Sequence, residues 1–305
     1  MGGLKLALLL HGTALTWTGF SIHWSTVLGC VALAGWYEWG ARRAAADPSA
    51  GAPPTQGQRV LFITGLVVML LSLNGPLHDL SDSFLFSAHM VQHLVLTLVV
   101  PPLLITGTPA SFFRRALRSR AVARVARVVA RPAFGFVAFN VVIAAWHVPT
   151  LYNYALAHHP VHIVQHLMFL VASVLMWWPL LSPLPELPRL SYPLQMLYCF
   201  LMTIPMSVVA IYITYSDSIL YPAYASAPRI WQISPMQDQL IGGLVMWIPG
   251  GLFFAGVMAV VFFKWSAADS DTVAGAQAQG PGVRGQGAPS ALAAPPLGSP
   301  VTRGR

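Results

Sequence analysis

Charge is scarce in this sequence: Asp, Glu, Lys and Arg make up 9% of its 305 residues, against about 25% in an average soluble domain. With 56% hydrophobic residues and a mean hydropathy of +0.63, that shortage excludes an ordinary soluble fold and leaves a polytopic membrane protein. Acid is scarcer still, 9 residues against 17 Lys and Arg. The arginines sit in short connections between apolar runs, where orientation in the bilayer accounts for them and nucleic-acid binding is not needed. Cysteine is nearly absent. Cys30 and Cys199 each lie alone inside an apolar run, so neither a disulfide framework nor a thiolate metal motif is available. Also missing are a Gly-rich phosphate loop, a GxSxG elbow, an HExxH helix and any nucleophile with an adjacent base.

What the chain does have is apolar runs of membrane length. Residues 1–21 read as an outer arm, with a cleaved signal peptide or an extra short span as the alternatives. A first span is expected over about Ile22–Trp39, closed by Arg42 and Arg43, and a Pro/Ala/Gly linker, residues 44–58, leads to a second over about Val60–Leu77. That span ends in HDLSD, read as a short polar connection. The third span is FLFSAHMVQHLVLTLVVPPLLITGTP, Phe84 to Pro109, expected to stop at Pro101, Pro102 and the GTP turn. Seven arginines and no acid follow between Phe112 and Arg131. That run fixes its loop on the cytoplasmic side, and its spacing also allows an amphipathic helix on the anionic leaflet. Spans four to seven are expected near Phe134–His147, Val161–Leu181, Leu194–Tyr215 and Asp238–Phe263. Residues 266–305, rich in Ala, Gly, Pro, Gln and Ser, read as a disordered cytoplasmic tail.

The resulting fold class is all-α: a seven-helix transmembrane bundle over residues 22–265, N-terminus outside and C-terminus cytoplasmic. It places twelve Lys and Arg at inner ends, three in the inner tail and only Lys5 and Arg229 outside, as the positive-inside rule requires. All ten histidines then fall on the outer half. Random placement would do that about one time in a thousand once the arginines have set the sides, so the outer face uses imidazole.

Two pairs stand out, His89 with His93 and His162 with His166. Each pair has i,i+4 spacing at the start of an apolar run, so both rings of a pair lie on one helix face and can share one ion. The bland reading of any one of them is a histidine bonded to a carbonyl or to water. Gln92 and Gln165 precede the second histidine of each pair and are candidates to orient the rings. His147, at the outer end of span four, either caps that helix or faces the same cavity. Asp238 opens span seven, where a carboxylate suits the helix dipole in any case; its other reading is a metal ligand or a partner to a ring N–H. His78 with Asp79, and His158 with His159, are read as solvated turn residues in preference to capture ligands. Met202, Met206 and Met246 suggest a soft-metal path but are more often packing. A set of neutral imidazoles with at most one carboxylate suits copper or zinc, and residue type alone does not separate the two.

Three motifs in order, FSAHMVQHLVLTLVVPPLLITGTP, AAWHVPTLYNYALAHHPVHIVQHLMFLVASVLMWWPLL and SPMQDQLIGGLVMWIPGGLFF, resemble the CtaG family of cytochrome c oxidase assembly factors, seven-span membrane proteins. The likeness covers about Ile22 to Trp265. It implies a non-catalytic role in building a haem-copper oxidase of the bacterial plasma membrane, with copper supplied to an oxidase subunit on the outer side. The motif residues it carries over are His89, His93, His147, His162, His166 and Asp238 with Gln239. Two rivals from other classes are a haem-binding membrane cytochrome and a metal-dependent membrane hydrolase or transporter that uses the same pocket.

Overall fold

An apolar chain in a medium without water must satisfy its own backbone N–H and C=O groups, and a helix does so within one segment. In the computed structural model, which describes residues 21–278 apart from 48 and 50 and their side chains as far as 271, helices are the regular elements. They are α1 Trp24–Ala46, α2 Gln56–Ser72, α3 Pro76–Ser83, α4 Phe86–Gly107, α5 Ala110–Ala116, α6 Arg120–Val129, α7 Pro132–His147, α8 Pro149–Ala157, α9 His159–Leu181, α10 Tyr192–Thr214, α11 Pro222–Ala225 and α12 Pro235–Ala278. The outer arm expected over residues 1–21 lies, except for its last residue, outside the described residues.

Four helices are long and apolar enough to cross a membrane: α4, α9, α10 and the Pro235–Asp271 part of α12. Two bent pairs, α2 with α3 at 43° and α6 with α7 at 72°, qualify if each pair is one span, which makes four to six among the described residues. Helix α1, the expected first span, is not among them; its tryptophans, Tyr37 and Glu38 dilute its apolar character.

Three local expectations change. HDLSD is not a polar connection but most of α3. Span three ends at the GTP turn as expected but not at its prolines: α4 widens to a π-helical turn over Val95–Val99 and runs on through Pro101 and Pro102 to Gly107. Proline at 101 removes the N–H that would bond the Thr97 carbonyl in an α-helix, and the Trp177 indole N–H donates to that carbonyl instead, at 2.9 Å. Finally, α12 continues past Ser266 to Ala278. The rest of the tail lies outside the described residues.

Two contacts define the ends of the bundle. At one, Arg114 Nε meets Glu186 Oε1 at 3.0 Å, joining the arginine-rich connection to the α9–α10 loop. At the other, the Asp238 carboxylate accepts from the backbone N–H groups of Phe86 and Ser87 at 2.7 and 3.0 Å, joining the start of α12 to the start of α4. The histidine-bearing ends of α4, α7 and α9 share this second end. Helices α7 and α9 pack closely, and any side chain at Gly135 would collide with the Leu175 carbonyl.

Candidate metal centre

The site begins at Gly75, whose φ of 76° is the left-handed backbone that glycine adopts without a Cβ penalty. That turn, followed by Pro76 at the first helical position, sets α3 at 43° to α2, and α3 packs against the start of α4. His78 and Asp82, one turn apart on α3, thereby face the imidazoles of α4 and α9. His78 Nε2 lies 3.3 Å from Asp82 Oδ2, and His162 Nδ1 lies 3.5 Å from the same oxygen.

On α4, His89 and His93 occupy one face with their Nε2 atoms 2.7 Å apart. On α9, His162 and His166 do the same, ring centroids 4.3 Å apart. The two pairs meet: His89 to His162 is 5.4 Å and His93 to His166 is 5.5 Å between centroids. His147, from the end of α7, approaches His93 at 6.0 Å. All five rings are buried, with relative exposures from 0% for His89 to 9% for His166. Two triads have donor atoms within 4.8 Å of one another, His89 with His93 and His166, and Asp82 with His89 and His162. Imidazole nitrogens bound tetrahedrally at about 2.0–2.1 Å from zinc or a similar ion lie about 3.3 Å apart, so small ring rotations would seat an ion.

Hydrogen bonds prepare the rings. The Tyr224 hydroxyl lies 2.7 Å from the Ser81 carbonyl, 2.9 Å from His89 Nδ1 and 3.1 Å from the Tyr152 hydroxyl. Burial pushes the Tyr224 phenol well above its ordinary pKa, so it keeps its one proton. A carbonyl can only accept, so that proton goes to Ser81 and His89 Nδ1–H is the donor to the phenol oxygen. His89 Nε2 then carries the lone pair. His147 reaches the same state by donating Nδ1–H to the Ile143 carbonyl at 2.7 Å. Gln92 donates to the Ser72 carbonyl and to His78 Nδ1 at 2.6 and 2.9 Å, and accepts from Ser81 Oγ at 3.1 Å.

Against this saturation stand several buried nitrogens with no hydrogen-bond partner: His93 Nδ1, His147 Nε2, His162 Nε2 and His166 Nε2. A buried polar atom left unpaired costs about 1–3 kcal/mol, so four in one cluster call for a ligand. The donor set, neutral imidazoles with one carboxylate beside them, fits a borderline ion such as copper or zinc.

The sequence-predicted His89, His93, His162 and His166 are thus brought together, with His147 at their edge. Asp238 is not: its oxygens are taken by the α4 backbone and by Ser87 Oγ at 2.6 Å, and it belongs to neither triad. The carboxylate at the cluster is Asp82, which sequence reasoning missed. His78, read as solvated, is 4% exposed, whereas His158 and His159 are exposed as expected. Gln92 orients His78 and not the rings of its own helix, and the Gln165 amide has no hydrogen-bond partner. Tyr152 and Tyr224 went unnoticed, although aromatic residues bearing a hydroxyl in an otherwise apolar stretch were a usable signal. Met202, Met206 and Met246 lie in the main hydrophobic core.

Comparison with known proteins gives the family. The profile of the cytochrome c oxidase caa3 assembly factor (Caa3_CtaG) family matches residues 35–268. Curated relatives include Uncharacterized protein Mb0105 of Mycobacterium bovis and Uncharacterized protein MT0111 of Mycobacterium tuberculosis, each 23% identical over 230 residues that make up 70% of this chain and 34% of theirs. Uncharacterized protein ML1998 of Mycobacterium leprae is also 23% identical over 230 residues, 70% of this chain and 35% of its own. The chain therefore spans about a third of the length of the curated relatives it matches. No solved structure gives a significant match. With well over half of its residues matched by that profile, including every imidazole of the cluster, the chain belongs to the caa3-type cytochrome c oxidase assembly factor family.

Proposed function

We propose that this protein holds a copper ion at the histidine cluster and passes it to a subunit of a haem-copper oxidase assembling beside it, without catalysing a reaction. The observation that carries the proposal is the convergence of His89, His93 and His166, with buried nitrogens that nothing else satisfies. Membership of a family of oxidase assembly factors supports the destination and a role other than catalysis. Copper is cargo in this reading. Neutral imidazoles suit a carrier that must release its ion better than a closed cage of thiolates would. His147, whose ring lies 6.0 Å from that of His93, completes or orients the set.

The cluster faces outward, in a bacterial plasma membrane, with seven spans, the N-terminus outside and the C-terminus inside. Support comes from the distribution of arginine: the connection through α5 and α6 and the α9–α10 loop share the end opposite the histidines, and such positive charge is retained on the cytoplasmic side.

The test is elemental analysis and visible spectroscopy of detergent-purified protein beside a His89→Ala/His93→Ala double variant. About one copper per chain, lost in the variant, is the expected result. Absence of copper from both after loading with Cu(I) would sink the copper reading and leave assembly by contact alone. A Soret band would replace the carrier with a haem protein.

A further inference from the structure

We propose that the cluster offers its ion two overlapping seats that share His89: a receiving seat of Asp82, His89 and His162, and a holding seat of His89, His93 and His166. The inference rests on the copper reading above and adds the order of events within it.

Sharing follows from the ring. The Nδ1–H of His89 is committed to Tyr224, which leaves Nε2 as its one ligand atom, so the two triads cannot be filled together. They are successive positions of a single ion, and His89 is the pivot. Moving inward, the ion breaks its bonds to Asp82 and His162 and forms bonds to His93 and His166; no electron is transferred, and the carboxylate returns to its neighbours His78 and His162.

Direction follows from exposure. Of the ligands in the two seats only Asp82 is not buried, its side chain being 23% exposed, whereas His89, His93, His162 and His166 are all buried. A mostly apolar cavity of about 390 Å³ between α1 and α9, with His23 and His159 at its wall, their rings 5.4 Å apart, touches one histidine of each seat, His162 and His166, so the sense of the movement rests on Asp82. His162 offers a second, independent sign that the receiving seat binds something: its Nε2 is buried and unpartnered while its Nδ1 faces Asp82. The chemistry also differs between the seats. No change of oxidation state is needed, only a different balance: a carboxylate is a hard, anionic donor, so an ion supplied as Cu(II) rests mainly in the receiving seat, while three neutral imidazoles let an ion supplied as Cu(I) rest mainly in the holding seat.

The full chain in detergent would be titrated separately with Cu(II) and with Cu(I), with stoichiometry by elemental analysis, Cu(II) ligation by electron paramagnetic resonance, and Cu(I) affinity by chelator competition. Wild-type protein should bind one ion in either state. Asp82→Asn should weaken Cu(II) by about tenfold or more and Cu(I) by less than about twofold, and His166→Ala should do the reverse. His162→Gln serves as a second variant of the receiving seat and should behave like Asp82→Asn, which guards against misfolding of either one. Two ions per chain, or equal losses of both ions in every variant, would overturn the two-seat proposal while leaving copper binding intact. No copper in the wild type in either state would overturn the copper reading as well.

Discussion

The hydroxyl of Tyr224 stands 2.9 Å from Nδ1 of His89, 135 residues away in sequence, and fixes which nitrogen of that ring is free to bind. The tyrosine in turn is held by the Ser81 carbonyl and by Tyr152. A residue from the α10–α12 connection thus sets the protonation pattern of a histidine on α4.

Tyr224→Phe removes that constraint and leaves the ligands in place. Copper should still bind at about one ion per chain, with affinity reduced about 10- to 100-fold, as is usual when the partner of a metal-bound imidazole is lost. Chelator competition measures it; an affinity unchanged from wild type would remove Tyr224 from the site.

Asp238→Ala separates capping from ligation. Its carboxylate satisfies two orphan N–H groups at the start of α4, so its loss should cost about 1–3 kcal/mol and lower the thermal midpoint in detergent. Copper per folded chain should not change. A variant of wild-type stability that has lost its copper would return Asp238 to the ligand set.

Trp177→Phe leaves the Thr97 carbonyl without a donor inside the bundle. Destabilisation of about 1–3 kcal/mol is expected, and because the π-helical turn sits just after His93, amide hydrogen exchange should rise around Val95–Val99. Exchange identical to wild type would show that α4 holds its widened turn without the indole.

Acid should release the ion. Imidazole must be neutral to coordinate, so protons compete with copper, and retention should fall as pH is lowered. Equilibrium dialysis between pH 8 and 5 checks the sign; retention that rises on acidification would exclude imidazole as the ligand.

Much of this protein is legible in one dimension. Helices read easily because apolar runs of membrane length leave the backbone no other way to satisfy itself, and His89 with His93, like His162 with His166, read as pairs because four residues make one turn. Asp82 and His78 did not read, because they sit in a short polar stretch that looks like a connection; only as helix α3, set at 43° to α2 by the turn at Gly75 and packed on the start of α4, does that stretch bring them to the cluster. Asp238 misled for the converse reason. A carboxylate at the start of a helix looks available, and only tertiary packing shows its oxygens taken by another helix's N–H groups.

By itself the sequence determined the class of molecule, the clustering of its arginines and the two imidazole pairs, because each depends on composition or on spacing along a single helix. The tertiary structure alone decided which carboxylate joins the imidazoles, which tyrosine sets the tautomer of His89, and how the chain passes Pro101. Those depend on contacts between residues far apart in sequence, whose mutual distance is set by helix packing and not by local periodicity.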